Sequence, residues 1–214
     1  MGVNKQGGPA LILIDIQKGF ANVKYWGGRR NNPDAELRAS ELLSVWRDSR
    51  LPVFHVQHCS TIPTSPLHET HDGNQFNDLV VPIERELIIK KNVNSAFIGT
   101  DLQAQLDNAK ITTLVIAGLT TDHCISTTTR MAGNLGYETF LVADATATFD
   151  KKGINGQIFP AELIHQTALA SLDKEFATVI TTDVIKQAIA FDPAKKLRMI
   201  RSAKRNASLF SINK

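Results

Sequence analysis

Three residues able to do chemistry recur at comparable places in this chain. Asp15 ends Leu11-Ile12-Leu13-Ile14-Asp15, Lys91 ends Leu87-Ile88-Ile89-Lys90-Lys91, and Cys124 closes Ile116-Ala117-Gly118-Leu119-Thr120-Thr121-Asp122-His123-Cys124. Each follows an apolar run of strand length, and open parallel sheets place their ligands outside the carboxyl ends of the strands. Taken singly, each has a plain structural role: Asp15 as a helix cap, Lys91 as a solvated charge, Cys124 as a small buried hydrophobe at a helix start. Taken together they suit nucleophilic catalysis, because a thiol needs a base and a cation to become a thiolate, and a helix N-terminus lowers its pKa further. Such a cysteine should react with thiol reagents at neutral pH far faster than an ordinary one. Successive strand residues face opposite ways, so only one of Lys90 and Lys91 can serve.

These residues need a scaffold, and the hydrophobic pattern supplies one. Apolar, β-branched runs at residues 10–15, 52–57, 86–90, 112–118, 138–143 and 177–181 predict six buried strands, and helical periodicity marks 34–48, 100–109, 124–135 and 161–175. Strand and helix alternate, and the strands are apolar on both faces. That order predicts an α/β fold, a three-layer α/β/α sandwich around a six-stranded, mostly parallel sheet with right-handed crossovers. Residues 58–80 and 149–160 interrupt the alternation as polar loops, and long loops in a compact domain often line a site. Residues 1–190 read as one domain and 191–214 as a basic extension.

Composition narrows the function classes. The chain has 214 residues, 43% of them hydrophobic, enough for a full single-domain core. Its net charge of +3 is uneven: residues 192–214 carry seven Lys or Arg against Asp192 alone, a tail of +6 that leaves a body of −3. Such a body does not look like a nucleic-acid-binding surface. No apolar stretch approaches the ~20 residues of a membrane span and no export signal is visible, so the expectation is a cytoplasmic protein with Cys59 and Cys124 as free thiols.

Asp15-Ile16-Gln17, Lys91-Asn92-Val93-Asn94-Ser95-Ala96-Phe97 and Gly118 through Cys124 resemble, in order, the three signatures of isochorismatase-like hydrolases. Asn134-Leu135-Gly136-Tyr137 and Val142-Ala143-Asp144-Ala145 resemble the segments that follow, so the similarity runs from about residue 9 to about 182. The resemblance implies that Lys91, four residues before Ser95, is the family lysine, and that Leu119 and Thr120 are joined by a cis peptide that aims the Thr120 amide inward. It also implies the mechanism: Asp15 takes the Cys124 proton, Lys91 favours the thiolate, and the amides of Thr120 and Cys124 hold the oxyanion. No cofactor is expected. The partners expected are a small-molecule substrate and further copies of the chain, as a dimer or tetramer, but neither nucleic acid nor membrane.

Nicotinamidases of this superfamily bind a metal through Asp-x-His near the second strand. Here the chain reads Gln57-His58-Cys59, without the carboxylate or a histidine in register, so no metal is expected, although His55, His58, His68 and His71 lie close in sequence. Phe20, Trp26, His58 and Phe149 are the candidate pocket residues. Asp122 reads as a turn or cap residue, and Cys59 as inert filler. Three functions fit: hydrolysis of a small amide or ureide C–N bond through a thioester, which is favoured; cleavage of a vinyl ether, as by isochorismatase itself; or a non-catalytic scaffold of the same fold.

Overall fold

The computed structural model describes residues 7–191 and Leu197. Six parallel strands form one sheet: β1 (Ala10–Ile14), β2 (Val53–His58), β3 (Leu87–Lys91), β4 (Thr113–Leu119), β5 (Glu138–Ala147) and β8 (Thr178–Ile180), in the spatial order β3-β2-β1-β4-β5-β8. Strands β6 (Lys151–Lys152) and β7 (Ile158–Phe159) form a separate antiparallel hairpin within the segment expected to be a loop. Helices α2 (Ala35–Asp48) and α6 (Thr182–Phe191) cover one face. Helices α3 (Leu102–Asn108), α4 (Ser126–Asn134) and α5 (Ala161–Leu172) cover the other, and α1 (Val23–Trp26) is a single turn.

The three-layer sandwich follows from the pattern. All five residues of β1 are buried, with Leu11 and Leu13 packing toward Leu42, Leu43 and Trp46 of α2, and Ala10, Ile12 and Ile14 toward Leu102, Leu106 and Leu169. Alternate side chains thus feed two cores. β3 departs from the expected buried strand, with Leu87 and Ile88 43% and 47% exposed, because it is the outermost strand and lies beyond the helical cover. Leu197 is buried with the α6 core residues Ile185, Ala188 and Ile189; the rest of the basic extension lies outside the described residues. Among the described residues no helix is long and apolar enough to cross a membrane.

The strand order reverses between β1 and β4, where such sheets open a crevice at their carboxyl ends. Two backbone features shape that point. Gly118 has φ +131°, and a Cβ there would meet the Ile14 carbonyl oxygen at 1.9 Å, so glycine lets β4 close against the end of β1. The next residue of β1 beyond Ile14 is Asp15, which adopts the left-handed region at φ 53°.

Candidate active site

Asp15, Lys91 and Cys124 come from three different strand ends and meet in one buried cluster. The Lys91 ammonium donates to Asp15 Oδ2 at 2.6 Å, to His58 Nδ1 at 3.0 Å and to Cys124 Sγ at 3.3 Å. An ammonium has three protons, and here each has its own acceptor. Lys91 is buried, while Lys90 is exposed, and both line a polar cleft of about 440 Å³ together with Cys59, His68 and Glu69. Asp15 is wholly buried, yet among the described residues its Oδ1 has no hydrogen-bond partner. Leaving a buried acceptor unpaired costs about 1–3 kcal/mol, so Oδ1 is a ready place for a proton.

Cys124 sits in a wide turn, Thr121–Ile125, that leads into α4 after a cis Leu119–Thr120 peptide. The turn has π geometry: the Thr120 carbonyl accepts from Ile125 and His123 rather than from Cys124. Such bulges are common at functional sites because they release a backbone amide from the helical ladder. The thiol also approaches Asn94 Oδ1 at 3.7 Å. Behind the turn, the Thr121 hydroxyl pairs with Nδ1 of buried His165 at 2.8 Å, anchoring the nucleophile's backbone to α5. Asp122 accepts from the Thr148 hydroxyl and lies 3.4 Å from Lys151 Nζ, tying the turn to the segment just after β5 and to the β6–β7 hairpin.

The electrostatics run against the expectation of a fast-reacting Cys124. Burial pushes the Cys124 thiol well above the ordinary thiol range, Asp15 adds to the rise, and Lys91 only partly opposes it. The reason is geometric: Lys91 lies closer to Asp15 than to the sulfur, so much of its charge is already matched. At rest Cys124 is a thiol beside a base, not a fast-reacting thiolate. Burial, followed by the Lys91 charge, also lowers the pKa of His58, which is therefore neutral at physiological pH.

The four histidines considered for metal binding are dispersed. His55 bonds Glu86, His68 bonds Thr70, His71 bonds the Pro63 carbonyl, and only His58 reaches the cluster. Ligand atoms of Asp15, His58 and Cys124 do lie within 4.8 Å of one another, but Lys91 Nζ contacts all three residues and takes a cation's place among them. A divalent ion does not fit beside that ammonium.

The pocket candidates separate into two kinds. Phe20 and Phe149 are 3% and 0% exposed; they stack with Trp26 at ring-centroid distances of 4.6–6.3 Å and pack in the α2-side core. They present almost no surface to a ligand, which corrects their assignment as pocket walls: aromatic packing, not substrate contact, accounts for them. Trp26 and His58 stay partly accessible.

Sequence reasoning missed the clamp that sets His58. Gln17 Oε1 accepts from the His58 amide at 2.9 Å and its Nε2 donates to the His58 carbonyl at 3.1 Å, while Asn74 Nδ2 donates to the same carbonyl at 2.9 Å. Gln17 and Asn94 stand in two of the signature motifs, but nothing in the sequence pointed to Asn74 or His165.

The family model described as Isochorismatase domain matches residues 9–184. An uncharacterized isochorismatase family protein of Bacillus subtilis, YrdC, is 48% identical over 174 residues, 81% of this chain and 92% of its own length. A solved isochorismatase-family structure from Chromobacterium violaceum is 37% identical with a TM-score of 0.82, covering 89% of this chain and 99% of that one. Nicotinamidase 3 of Arabidopsis thaliana is 26% identical over 193 residues, 84% of this chain and 88% of its own.

Proposed function

The chain belongs to the isochorismatase family of hydrolases, and from that premise we propose that it hydrolyses a C–N bond of a small amide or ureide through a thioester on Cys124. The observation that carries this reading is the triple contact of the Lys91 ammonium with Asp15, His58 and Cys124 beside an unpartnered Asp15 oxygen. A vinyl ether cleavage that relies on an acid alone has no use for a thiol held against base and cation. The relative named as a nicotinamidase points toward amide substrates as well.

Substrate binding triggers the chemistry. The Cys124 sulfur attacks the carbonyl carbon as its proton passes to Asp15 Oδ1, and Lys91 stabilises the sulfur's negative charge while it exists. The carbonyl oxygen becomes an oxyanion held by the amides of Thr120 and Cys124, and one such donor is worth about 10²–10³ in rate. Collapse expels the amine, which takes the proton from Asp15 and leaves a thioester. Water then attacks the thioester carbon, giving its proton to Asp15; the acid departs, and the sulfur recovers a proton. The resting thiol suits this cycle because a proton is stored where the leaving amine needs one.

The test is a panel of small primary amides and ureides assayed for ammonia release with wild-type protein and Cys124→Ala, with intact-mass detection of an acyl adduct. Release by wild type alone, with an adduct trapped by hydroxylamine, is expected. Equal release by Cys124→Ala would overturn the reading.

A further inference from the structure

We infer that His58 is a specificity-determining residue whose Nε2–H reads an oxygen acceptor on the acyl side of the substrate, next to the scissile carbonyl. The inference rests on the amide reading above and deepens it: the substrate class becomes small amides bearing a second oxygen, as hydroxyl, carbonyl or carboxylate, on or beside the adjacent carbon.

The tautomer follows from the partner. Lys91 Nζ lies 3.0 Å from His58 Nδ1, and an ammonium can only donate, so Nδ1 must accept. A ring that accepts at Nδ1 carries its single proton on Nε2. A second cation beside Lys91 is also disfavoured, which keeps the ring neutral. Among the described residues nothing bonds Nε2, and the side chain keeps 16% of its surface exposed at the edge of a cluster in which Asp15, Lys91 and Cys124 are buried. The ring does not wander: Gln17 and Asn74 clamp the His58 backbone from both sides. A fixed, unpaired donor next to a nucleophile is a recognition element.

Reach sets what it recognises. A ligand atom of the His58 ring lies within 4.8 Å of the Cys124 sulfur. In an attack geometry the scissile carbon sits ~3–3.5 Å from the sulfur. Nε2 lies across the ring from the Lys91-facing Nδ1, so an oxygen one or two bonds beyond that carbon can span to it and reach the ~2.7–3.2 Å of a hydrogen bond. The amine side of the substrate leaves with a proton from Asp15 and has no need of this donor. A substrate without the acceptor strands the Nε2–H, and sites that leave a polar group unpaired discriminate by ~10-fold to 100-fold or more.

Lactamide and isobutyramide test this, being neutral and nearly isosteric, with a hydroxyl in one where the other has a methyl. Wild type should prefer lactamide by ~10-fold or more in kcat/KM. His58→Asn keeps an acceptor for Lys91 but loses the distal donor, so the preference should collapse, chiefly through a higher KM for lactamide. His58→Gln keeps a distal donor and should retain most of the preference. A ratio unchanged in His58→Asn overturns the inference. Binding of the two amides to Cys124→Ala, with and without His58→Asn, separates this from the chemistry. If neither amide is hydrolysed but lactamide binds preferentially in a His58-dependent way, the amidase reading fails and the recognition stands; without such a preference, the recognition fails whatever the enzyme hydrolyses. Nitrogen-15 spectra of wild-type His58 need no variant: a protonated Nε2 that shifts on adding lactamide supports the inference, and a protonated Nδ1 refutes it.

Discussion

Strand β2 carries two histidines three residues apart, and each joins a buried carboxylate and a cation on its own side of the sheet. His55 meets Glu86 at 2.8 Å, and Glu86 is also gripped through both oxygens by Arg47 at 2.8 Å and by the Ile83 amide at 3.1 Å. Burial alone would raise the Glu86 pKa, but the Arg47, His55 and Ile83 bonds outweigh it and hold it at about 2. His58 belongs to the other cluster, where Lys91 binds one oxygen of Asp15 and the second oxygen goes unpaired. The ingredients are nearly the same. One cluster has committed its carboxylate oxygens to the fold, whereas the other keeps back an acceptor on Asp15, a residue held at positive φ, together with a thiol and an imidazole donor. Unspent capacity, more than the presence of charged groups, marks the site.

Removing the thiol tests that contrast most severely. Cys124→Ala or Cys124→Ser should lower turnover by ~10⁴-fold or more while thermal unfolding stays near wild type, because the residue supplies the nucleophile and little packing volume. A variant that kept most of its activity would place the nucleophile elsewhere. Lys91→Ala should also cost orders of magnitude, and because it strands the Asp15 charge it should destabilise as well, by roughly 3–5 kcal/mol. At the other cluster the order of effects reverses. Glu86→Gln should cost about 3–5 kcal/mol of stability, measured by urea unfolding, with kcat within a few-fold of wild type at temperatures where the variant is folded. If Glu86→Gln instead slowed catalysis in the folded protein, the division between the clusters would collapse.

Acid should separate the clusters by pH. The folded-state pKa of Glu86 lies below its unfolded value, so its contribution is complete above about pH 4.5 and is lost as pH falls toward about 2. The loss should be on the order of 3 kcal/mol. Activity should fail at higher pH than this, where His58 takes a proton: Lys91 then loses an acceptor and gains a like charge. Because the His58 pKa is lowered, that acid limb should lie below the ordinary imidazole range, and it should vanish in His58→Gln. An acid limb that persists in His58→Gln would assign the titration to another group.

The sequence showed most of the scaffold because the parallel strands are buried on both faces and read as continuous apolar runs. It overstated β3, whose exposure depends on its place at the sheet edge, and it missed β6 and β7, two residues each and too short for any periodicity. Asp15, Lys91 and Cys124 were legible as strand-end residues. Their supports were not: Gln17 and His58 are 41 residues apart, and Thr121 and His165 are 44 apart, so only the folded chain pairs them. Phe20 and Phe149 read as pocket walls because an aromatic near a site looks the same in sequence whether it faces ligand or core. The thiol's reactivity is hard to read for a related reason, since residue spacing reveals a neighbouring cation but not the depth of burial that opposes it.

Burial of Cys124 sets the contrast with the smallest expected effect on turnover. Cys124 is 8% exposed and held as a thiol, whereas Cys59 is partly exposed on the wall of the polar cleft beside Lys90. Thiolate fraction and access together set the alkylation rate, and both disfavour Cys124. Brief iodoacetamide treatment at neutral pH, followed by peptide mass analysis, should therefore mark Cys59 before Cys124. Lys91 also lines this cleft, but Lys90 faces away from Lys91 along the strand and the Cys59 thiol meets Asn74 rather than Asp15, Lys91 or Cys124, so protein alkylated only at Cys59 should keep most of its turnover, as should Cys59→Ala and Lys90→Ala. Cys124 should label appreciably only as pH rises well above neutral, with loss of activity tracking its modification and not that of Cys59. Were Cys124 to label first at neutral pH, its proton would already be gone at rest, and the unpaired Asp15 oxygen would no longer be the acceptor that starts the reaction.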